Sequence, residues 1–478
     1  MIKDTFNCSS ILIVIMMFEG ADAMTEITNS QDLSNNRVAV RRISIDNFGA
    51  LGRISLRLDR PLQVIIGPQA SGKSTLGKSI YFCRKIRDYL SDYAREVLNG
   101  QIQSEYYTNF LKYLRNPFMG CFGTTKHMDR FTIRFTYDEI ANKYVSISLD
   151  KDRYASFQFS DSLRVEIENL FRELVHTAER IPDSITDAYF AQRDILELIK
   201  RQAKKIFADD ENLLYIPAGR NLLATVPDLI QPDPDATRSM LHIDFSRTDL
   251  ITQEFIRYIQ QMRARFGSKL EEITQNYLKT VKGQIRNKDV ELACDLVKKI
   301  LKAEYVCDRD GEKLYYEDNK WVKLMFGSSG QQEVLWALNC IFLAILQNEK
   351  TFLVFEEPES HIFPDAQELI AELVSLMIHS SGSEVLLTTH SPYMLTAINL
   401  LIYSGKVEKS NESAIVERQF RMKSGSVAAY LLPGSKKNAI NLIDPTRGLI
   451  DALQIDGVSD RINERMDELL NRQIAQKE

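Results

Sequence analysis

Four short stretches carry residues whose type and spacing can do chemistry. Gly67-Pro68-Gln69-Ala70-Ser71-Gly72-Lys73-Ser74 matches G-x-x-x-x-G-K-[ST]. Its glycines let the backbone curl until successive N–H groups face one anion, and a following helix adds partial positive charge. Lys73 can reach β- and γ-phosphates, and the Ser74 hydroxyl is placed to ligate Mg²⁺. The binding stretch is taken as Gly67 to Thr75. Phe352-Leu353-Val354-Phe355-Glu356-Glu357 is an apolar strand ending in two carboxylates. Such a strand delivers one acid to the metal and the next to the attacking water, so Glu356 is assigned to Mg²⁺ and Glu357 to water activation. Gly327-Ser328-Ser329-Gly330-Gln331 precedes the apolar helix VLWALNCIFLAIL and makes a second anion cradle. One phosphate loop needs only one cradle per nucleotide, so a second suggests a nucleotide shared between two copies. His390, in LLTTHSPYML, sits just after an apolar strand, where it could contact a γ-phosphate.

These residues need elements to hold them. LQVII before the phosphate loop reads as a strand, and TLGKSIYFCRKIRDYL after it as a helix. TFLVF and EVLLT are continuous apolar runs, as in a parallel sheet covered on both faces. VAVRRISI and GRISLRL flank Asp46-Asn47-Phe48-Gly49 as a hairpin. FTIRFTY, YVSISLD and YASFQFS alternate with period two, as an antiparallel meander. Ser162–Ala208 and Thr248–Lys302 are helical and charged. The Pro182 and Gly267 breaks favour a compact lobe over a coiled-coil arm. The tail is expected to alternate short strands (AIVERQFRM, SVAAYLL) with turns and to end in a charged helix from about Val458.

Composition narrows the classes. Of 478 residues, 44% are hydrophobic and 26% charged, which excludes global disorder. A net charge of −5 excludes a general nucleic-acid coat, so any DNA contact is local. Six cysteines with no C-x-x-C pair fit reduced cytosolic thiols. Ile11–Phe18 followed by Ala21-Asp22-Ala23 has the outline of a signal peptide, but its leading segment holds one Lys and one Asp. The favoured reading is a start at Met24 or a poorly ordered leader over residues 1–37. No other run is long enough to span a bilayer, so the expected location is the cytoplasm, without a membrane partner.

The order phosphate loop, Ser-Ser-Gly-Gln, Glu-Glu, His resembles the ABC-type ATPase heads of the SMC, RecF and OLD group. GPQASGKS matches Walker A, GSSGQ resembles the LSGGQ signature, FLVFEEPESHIFP resembles Walker B with its EEPE-x-H continuation, and TTHSP resembles the switch-histidine loop. The likeness covers roughly residues 38–80 and 320–400. It implies an α/β P-loop NTPase, an ABC-type head with an inserted helical lobe. The division is 38–160 and 313–405 for the two halves of the head, 161–312 for a mainly helical insert, and 406–478 for an extension. It also implies ATP and Mg²⁺ as ligands. Ser328, Ser329, Gly330 and Gln331 would then meet the nucleotide of the other protomer. Glu356 would join the Mg²⁺ shell, Glu357 would be the general base, and His390 would sense the γ-phosphate. Glu356 stands where the family has aspartate, and no glutamine lid loop is placed. YIPAGRN, ending at Arg220-Asn221, resembles anti-phage members such as the ATPase subunits of Septu and PARIS.

The expected function is therefore an ATP-hydrolysing switch that dimerises, or forms a higher oligomer, around ATP. It would control a separate effector, a nuclease or toxin, in phage defence. The alternative is a RecF-like DNA-repair or DNA-clamping ATPase. A transporter ATPase is set aside because its phosphate loop and signature lie much closer together. After His390 about 88 residues remain with no D-x-D, so no nuclease of its own is expected. RQAKKIFA and RYIQQMRARFGSK read as solvated helix faces, with DNA or an acidic partner as the other option. Arg220 reads equally as a phosphate or inter-subunit contact and as a structural ion pair.

Overall fold

The computed structural model describes residues 40–451, 461–469 and 472–473, except 101, 103, 179–184, 221–247, 281–286, 317–319, 409–413 and 435. The leader, Pro182 and Asn221 lie outside the described residues.

Strands β1 (Arg42–Phe48) and β2 (Leu51–Arg57) form the expected hairpin. Asn47 and Gly49 take left-handed φ values of 57° and 59° at its turn. Ile43, Ile45, Ile54 and Leu56 point inward at alternate positions. Strand β3 (Leu62–Ile66) leads through the phosphate loop into helix α1 (Lys73–Leu98). Two short helices, α2 (Tyr106–Tyr113) and α3 (Arg115–Phe122), precede the meander β4 (Thr132–Asp138), β5 (Lys143–Leu149) and β6 (Ala155–Phe159). Hairpin and meander join in one antiparallel sheet of order β2-β1-β4-β5-β6.

Helices α4 (Asp161–Ala178) and α5 (Ile185–Ile206) follow, then strand β7 (Asn212–Ile216). Within the stretch expected to be mainly helical, β7 returns to the central sheet and pairs with the Walker B strand. Helices α6 (Leu250–Arg263), α7 (Leu270–Thr280) and α8 (Asn287–Leu301) come next. A three-stranded antiparallel sheet, β8 (Glu304–Asp308), β9 (Gly311–Tyr315) and β10 (Trp321–Lys323), was not anticipated from the sequence and delivers the signature segment. The remaining elements are α9 (Ser329–Leu346), β11 (Thr351–Glu356), α10 (Pro364–Ser381), β12 (Glu384–Thr389), α11 (Pro392–Val407), β13 (Val427–Leu431), β14 (Ile440–Asn441) and α12 (461–469). AIVERQFRM is not a strand. Val416 and Phe420 are buried four residues apart around a 3-10 turn at Arg418–Phe420, where Ser375 Oγ donates to the Phe420 carbonyl at 2.7 Å.

The central sheet has the order β14-β13-β3-β12-β11-β7, and its strands from β13 to β7 are parallel. Both faces are covered, which explains the unbroken apolar runs. Leu353, Phe355, Val385 and Leu387 face one core with α8–α11, while Phe352, Val354 and Leu386 face the other with α1 and the antiparallel sheet. The register pairs Ile66 with Thr389, Thr388 with Glu356, and Phe355 with Ile216. The segments after β3, β7, β11 and β12 therefore all leave one carboxyl edge, the usual place for a ligand in such sheets. The fold class is α/β, that of a P-loop NTPase head, as expected.

The opposite end of the sheet is locked by buried ions. Arg84 donates to both Asp209 oxygens at 2.7 Å and to Glu384 at 2.9 Å, and it also pairs with Glu211. Arg41 reaches the same Glu384 at 2.9 Å. Burial alone would raise the Asp209 carboxyl, but Arg84, helped by Arg87 and Arg41, holds it well below the usual carboxylate range.

Candidate functional site

Strand β3 is buried throughout, and the chain turns sharply as it leaves. A Cβ at Gly67 would strike the Leu432 carbonyl and lie 2.7 Å from Ser71 Oγ. Gly72 has φ 97°, and a Cβ there would sit 2.5 Å from Leu51 Cδ2. Both positions require glycine. Gly72 is the N-cap of α1 and makes no side-chain cap, so no cap side chain competes for the first-turn N–H groups. Pro68, Gln69, Ala70 and Ser74 are exposed at the mouth, and Thr75 is half-buried beside Gly49. Lys73 Nζ is buried and donates to the Gly67 and Pro68 carbonyls at 3.0 and 3.1 Å. Burial lowers its pKa, opposed by the facing carboxylates of Glu357, Glu359 and Glu356. Lys73 and the Walker B acids thus form one electrostatic unit.

Glu356, the last residue of β11, is 4% exposed. Its carboxylate accepts from Tyr215 Oη at 2.8 Å and from the Ala218 amide at 3.0 Å. Glu357 takes a left-handed φ of 42°, a conformation costing about 1 kcal/mol for a non-glycine residue. Its amide, donating to Thr388 O at 3.0 Å, holds that turn. The turn aims Glu357 Oε1 at His390 Nε2, 3.0 Å away. That hydrogen bond is the main reason the Glu357 carboxyl lies below its ordinary range. A base must be ionised to accept a proton, so the pairing suits the role read from the sequence.

Sequence reasoning missed one positioning residue, Glu359, and left a second, Arg220, between two readings. Glu359 Oε1 accepts from Thr389 Oγ1 at 2.9 Å and from the His390 amide at 2.6 Å, which fixes the His390 loop. It was legible only as a third acid in EEPES. Arg220 is 1% exposed. It donates to the carbonyls of Glu333 (3.1 Å), Pro217 (2.9 Å), Glu356 (2.7 Å) and Glu357 (3.2 Å). Its guanidinium also lies 3.5 Å from the Glu333 carboxylate. Arg220 is therefore a buried structural ion pair that bolts α9 and β7 to the Walker B end. Of the two readings left open by the sequence, this is the structural one.

The signature residues form a helix start. Ser328 caps α9, with Oγ accepting from the Gln331 amide at 3.3 Å while Gln331 Oε1 accepts from the Ser328 amide at 3.0 Å. Gln331 Nε2 donates to Leu301 O at 2.9 Å, so its amide group holds the segment in place. A Cβ on Gly330 would lie 2.6 Å from the His361 carbonyl, which ties the signature to the loop after Glu357. Ser328 and Ser329 are exposed. The fold brings together Lys73, Glu356, Glu357 and His390. The hydrogen bonds of Ser328 and Gln331 run to their own helix start, Tyr316 and Leu301.

The residues present fit a nucleotide with Mg²⁺. Ser71 Oγ and Glu359 Oε2 are buried without a hydrogen-bond partner. Glycine is required where the loop crosses Leu432 and Leu51. Among the described residues no group of three or more His, Cys, Asp or Glu could hold a metal. Mg²⁺ is commonly held by one or two carboxylates together with substrate phosphates. Ser74 and Glu356 are the residues that would hold it. Glu356 already accepts two hydrogen bonds, and a carboxylate has about four lone-pair sites.

Solved structures similar to this chain include a "SmcHead bound to the C-winged helix domain of ScpA" at 10% identity and TM-score 0.39, covering 85% of this chain and 98% of that one. The SMC head domain from Thermotoga maritima aligns at 9% identity and TM-score 0.35, covering 84% and 99%. A Pyrococcus furiosus Smc head with an extended coiled coil, bound to the C-terminal domain of ScpA, aligns at 10% identity and TM-score 0.34, covering 84% and 96%. A search of curated proteins finds no match. Among the described residues no helix is long and apolar enough to cross a membrane. The family described as AAA ATPase domain matches residues 39–395, most of the chain, and with the phosphate loop, Walker B acids and His390 all inside that span, the chain belongs to that family.

Proposed function

We propose that this protein is an ATP-hydrolysing switch of the SMC, RecF and OLD type. In this reading it closes with a second copy around ATP and controls a separate effector, a nuclease or toxin, in anti-phage defence. The observation that carries the ATPase part is the Glu357–His390 pair at 3.0 Å, on a carboxyl edge shared with Lys73. Glu357 accepts the proton of the attacking water, and His390 holds that carboxylate ionised and oriented. Lys73 offsets phosphate charge that develops in transfer. Mg²⁺, when bound, supplies further charge neutralisation at Ser74 and Glu356.

Head-to-tail closure is supported by the different caps of the two helix N-termini. The α1 end serves its own phosphate loop, whereas the exposed Ser328 and Ser329 at the α9 end remain for another protomer. The effector rests on the motif order and on YIPAGRN. Glu357→Gln should bind ATP like wild type and hydrolyse it about 10²–10⁴-fold more slowly. Wild-type turnover by this variant refutes the assignment. Co-purification of the ATP-locked Glu357→Gln protein from its native operon tests the effector, and a lone ATPase in the eluate refutes it.

A further inference from the structure

Helix α11 buries one face against the core through Met394, Leu395, Ile398, Leu401 and Ile402. Its opposite face is also apolar. Tyr393, Leu400, Tyr403 and Val407 are 59, 40, 54 and 53% exposed. Single exposed apolar side chains are ordinary, but a row along four turns marks a contact surface. With Thr396, the positions 393, 396, 400, 403 and 407 alternate steps of three and four, the seam of a helix that expects a helical partner.

The same chain carries a second unpartnered stripe. In α12, Ile462, Met466 and Leu469 are 56, 55 and 60% exposed, again at steps of four and three. All nine residues 461–469 are exposed, and Arg461, Asn463, Glu464, Arg465, Asp467 and Glu468 occupy the other positions. A helix of this length is marginal alone in water and gains most of its stability from packing an apolar face.

The path of the chain joins the two stripes. Asn399, next to Leu400 on α11, accepts from the Ile450 amide at 2.8 Å and donates to the Ile450 carbonyl at 2.9 Å. The chain is therefore pinned at Ile450 to the middle of α11. Residues 452–460 lie between Asp451 and Arg461. An extended segment of that length reaches about 30 Å, longer than the roughly 24 Å axis of α11. A short tether of this kind presents α12 at a millimolar effective concentration. We propose that α12 docks in cis on the exposed stripe of α11, with Ile462, Met466 and Leu469 packed between Tyr393, Leu400, Tyr403 and Val407. Because α11 begins two residues after His390, the docked helix covers the element that carries the His390 loop.

The test is hydrogen exchange on the full chain, read by mass spectrometry. Amides of 461–469 should exchange at least about tenfold more slowly in wild type than in Leu400→Asp or in Met466→Asp, with no dependence on protein concentration. Both positions are exposed, so global unfolding should stay in place. An independent variant, Tyr403→Cys/Met466→Cys, should close an intrachain disulfide under mild oxidation. Unprotected amides in wild type overturn the proposal. So does protection that survives Leu400→Asp, which would place α12 elsewhere. Protection that appears only with a doubled mass, or an interchain disulfide, assigns the stripe to a second copy and overturns docking in cis.

Discussion

Arg220→Met tests the framework of the site most directly. Methionine keeps the volume of the stem beside the Phe355 ring, whose centroid lies 5.3 Å from the guanidinium carbon, but it donates nothing. Four hydrogen bonds to carbonyls are lost, those to Glu333, Pro217, Glu356 and Glu357. At about 0.5–1.5 kcal/mol net each, they sum to roughly 2–6 kcal/mol. Removing the guanidinium beside the buried Glu333 carboxylate alone suggests about 3–5 kcal/mol. The two figures describe the same event, so the expected loss is about 3–5 kcal/mol. The assay is urea unfolding followed in parallel by circular dichroism and tryptophan fluorescence. Trp336, 1% exposed and three residues from Glu333 on α9, is a natural reporter of this joint. Arg220→Met/Glu333→Leu should be more stable than the two single losses added, by about 1–3 kcal/mol, because the stranded charge has gone. A wild-type midpoint for Arg220→Met, or strict additivity in the double variant, refutes the reasoning.

Three further outcomes follow from the same geometry. Lys73→Ala should abolish ATP binding in an equilibrium dialysis or calorimetric assay, since the phosphates lose their buried cationic contact. His390→Ala should move the acid limb of the ATPase pH profile to higher pH. The His390 bond is the chief influence lowering the Glu357 pKa, and burial, which remains, raises it. Activity needs the carboxylate ionised and fails as pH falls through its pKa, so a raised pKa brings earlier loss. An unmoved limb counts against Glu357 as the base. Ser328→Arg should bind ATP yet fail to turn it over, and mixing it with Lys73→Ala should return partial activity. Normal hydrolysis by Ser328→Arg alone rules out a shared site.

Legibility from the sequence followed the range of the interaction. The phosphate loop is local, because Gly67 and Gly72 are demanded by close approaches to the Leu432 carbonyl and the Leu51 side chain and the pattern fixes the two glycines five residues apart. The two-sided sheet was legible because burial on both faces leaves no polar alternation in TFLVF and EVLLT. The sequence leaves Arg220 open, because all its side-chain partners but Pro217 lie 113 to 137 residues away and nothing in YIPAGRN encodes them. Strand β7 was missed for a similar reason. Its five residues NLLYI carry no period, and only the pairing with Thr351–Phe355 makes them a strand. AIVERQFRM misleads the other way, since its buried Val416 and Phe420, four residues apart, mimic strand alternation.

The two helix N-termini were both read as anion cradles, and their caps set them apart. At α1 the cap is Gly72, which has no side chain, so the first-turn amides of Lys73, Ser74 and Thr75 meet no cap oxygen. At α9 the cap is Ser328, whose hydroxyl accepts from the Gln331 amide. The amides left without a cap are those of Ser329 and Gly330, and Gly330 is pressed against the His361 carbonyl. The first end can surround a phosphate chain, whereas the second can offer two donors to one exposed oxygen. A γ-phosphate held by a partner's loop would present such an oxygen, and this asymmetry supports the proposed placement of ATP between two copies. It also makes a sharp demand of mutation. Ser328→Ala should loosen the start of α9 by about 0.5–2 kcal/mol, while closure, which needs only the Ser329 and Gly330 amides, should persist at high ATP. Complete loss of activity in Ser328→Ala would instead show that the hydroxyl itself meets the phosphate.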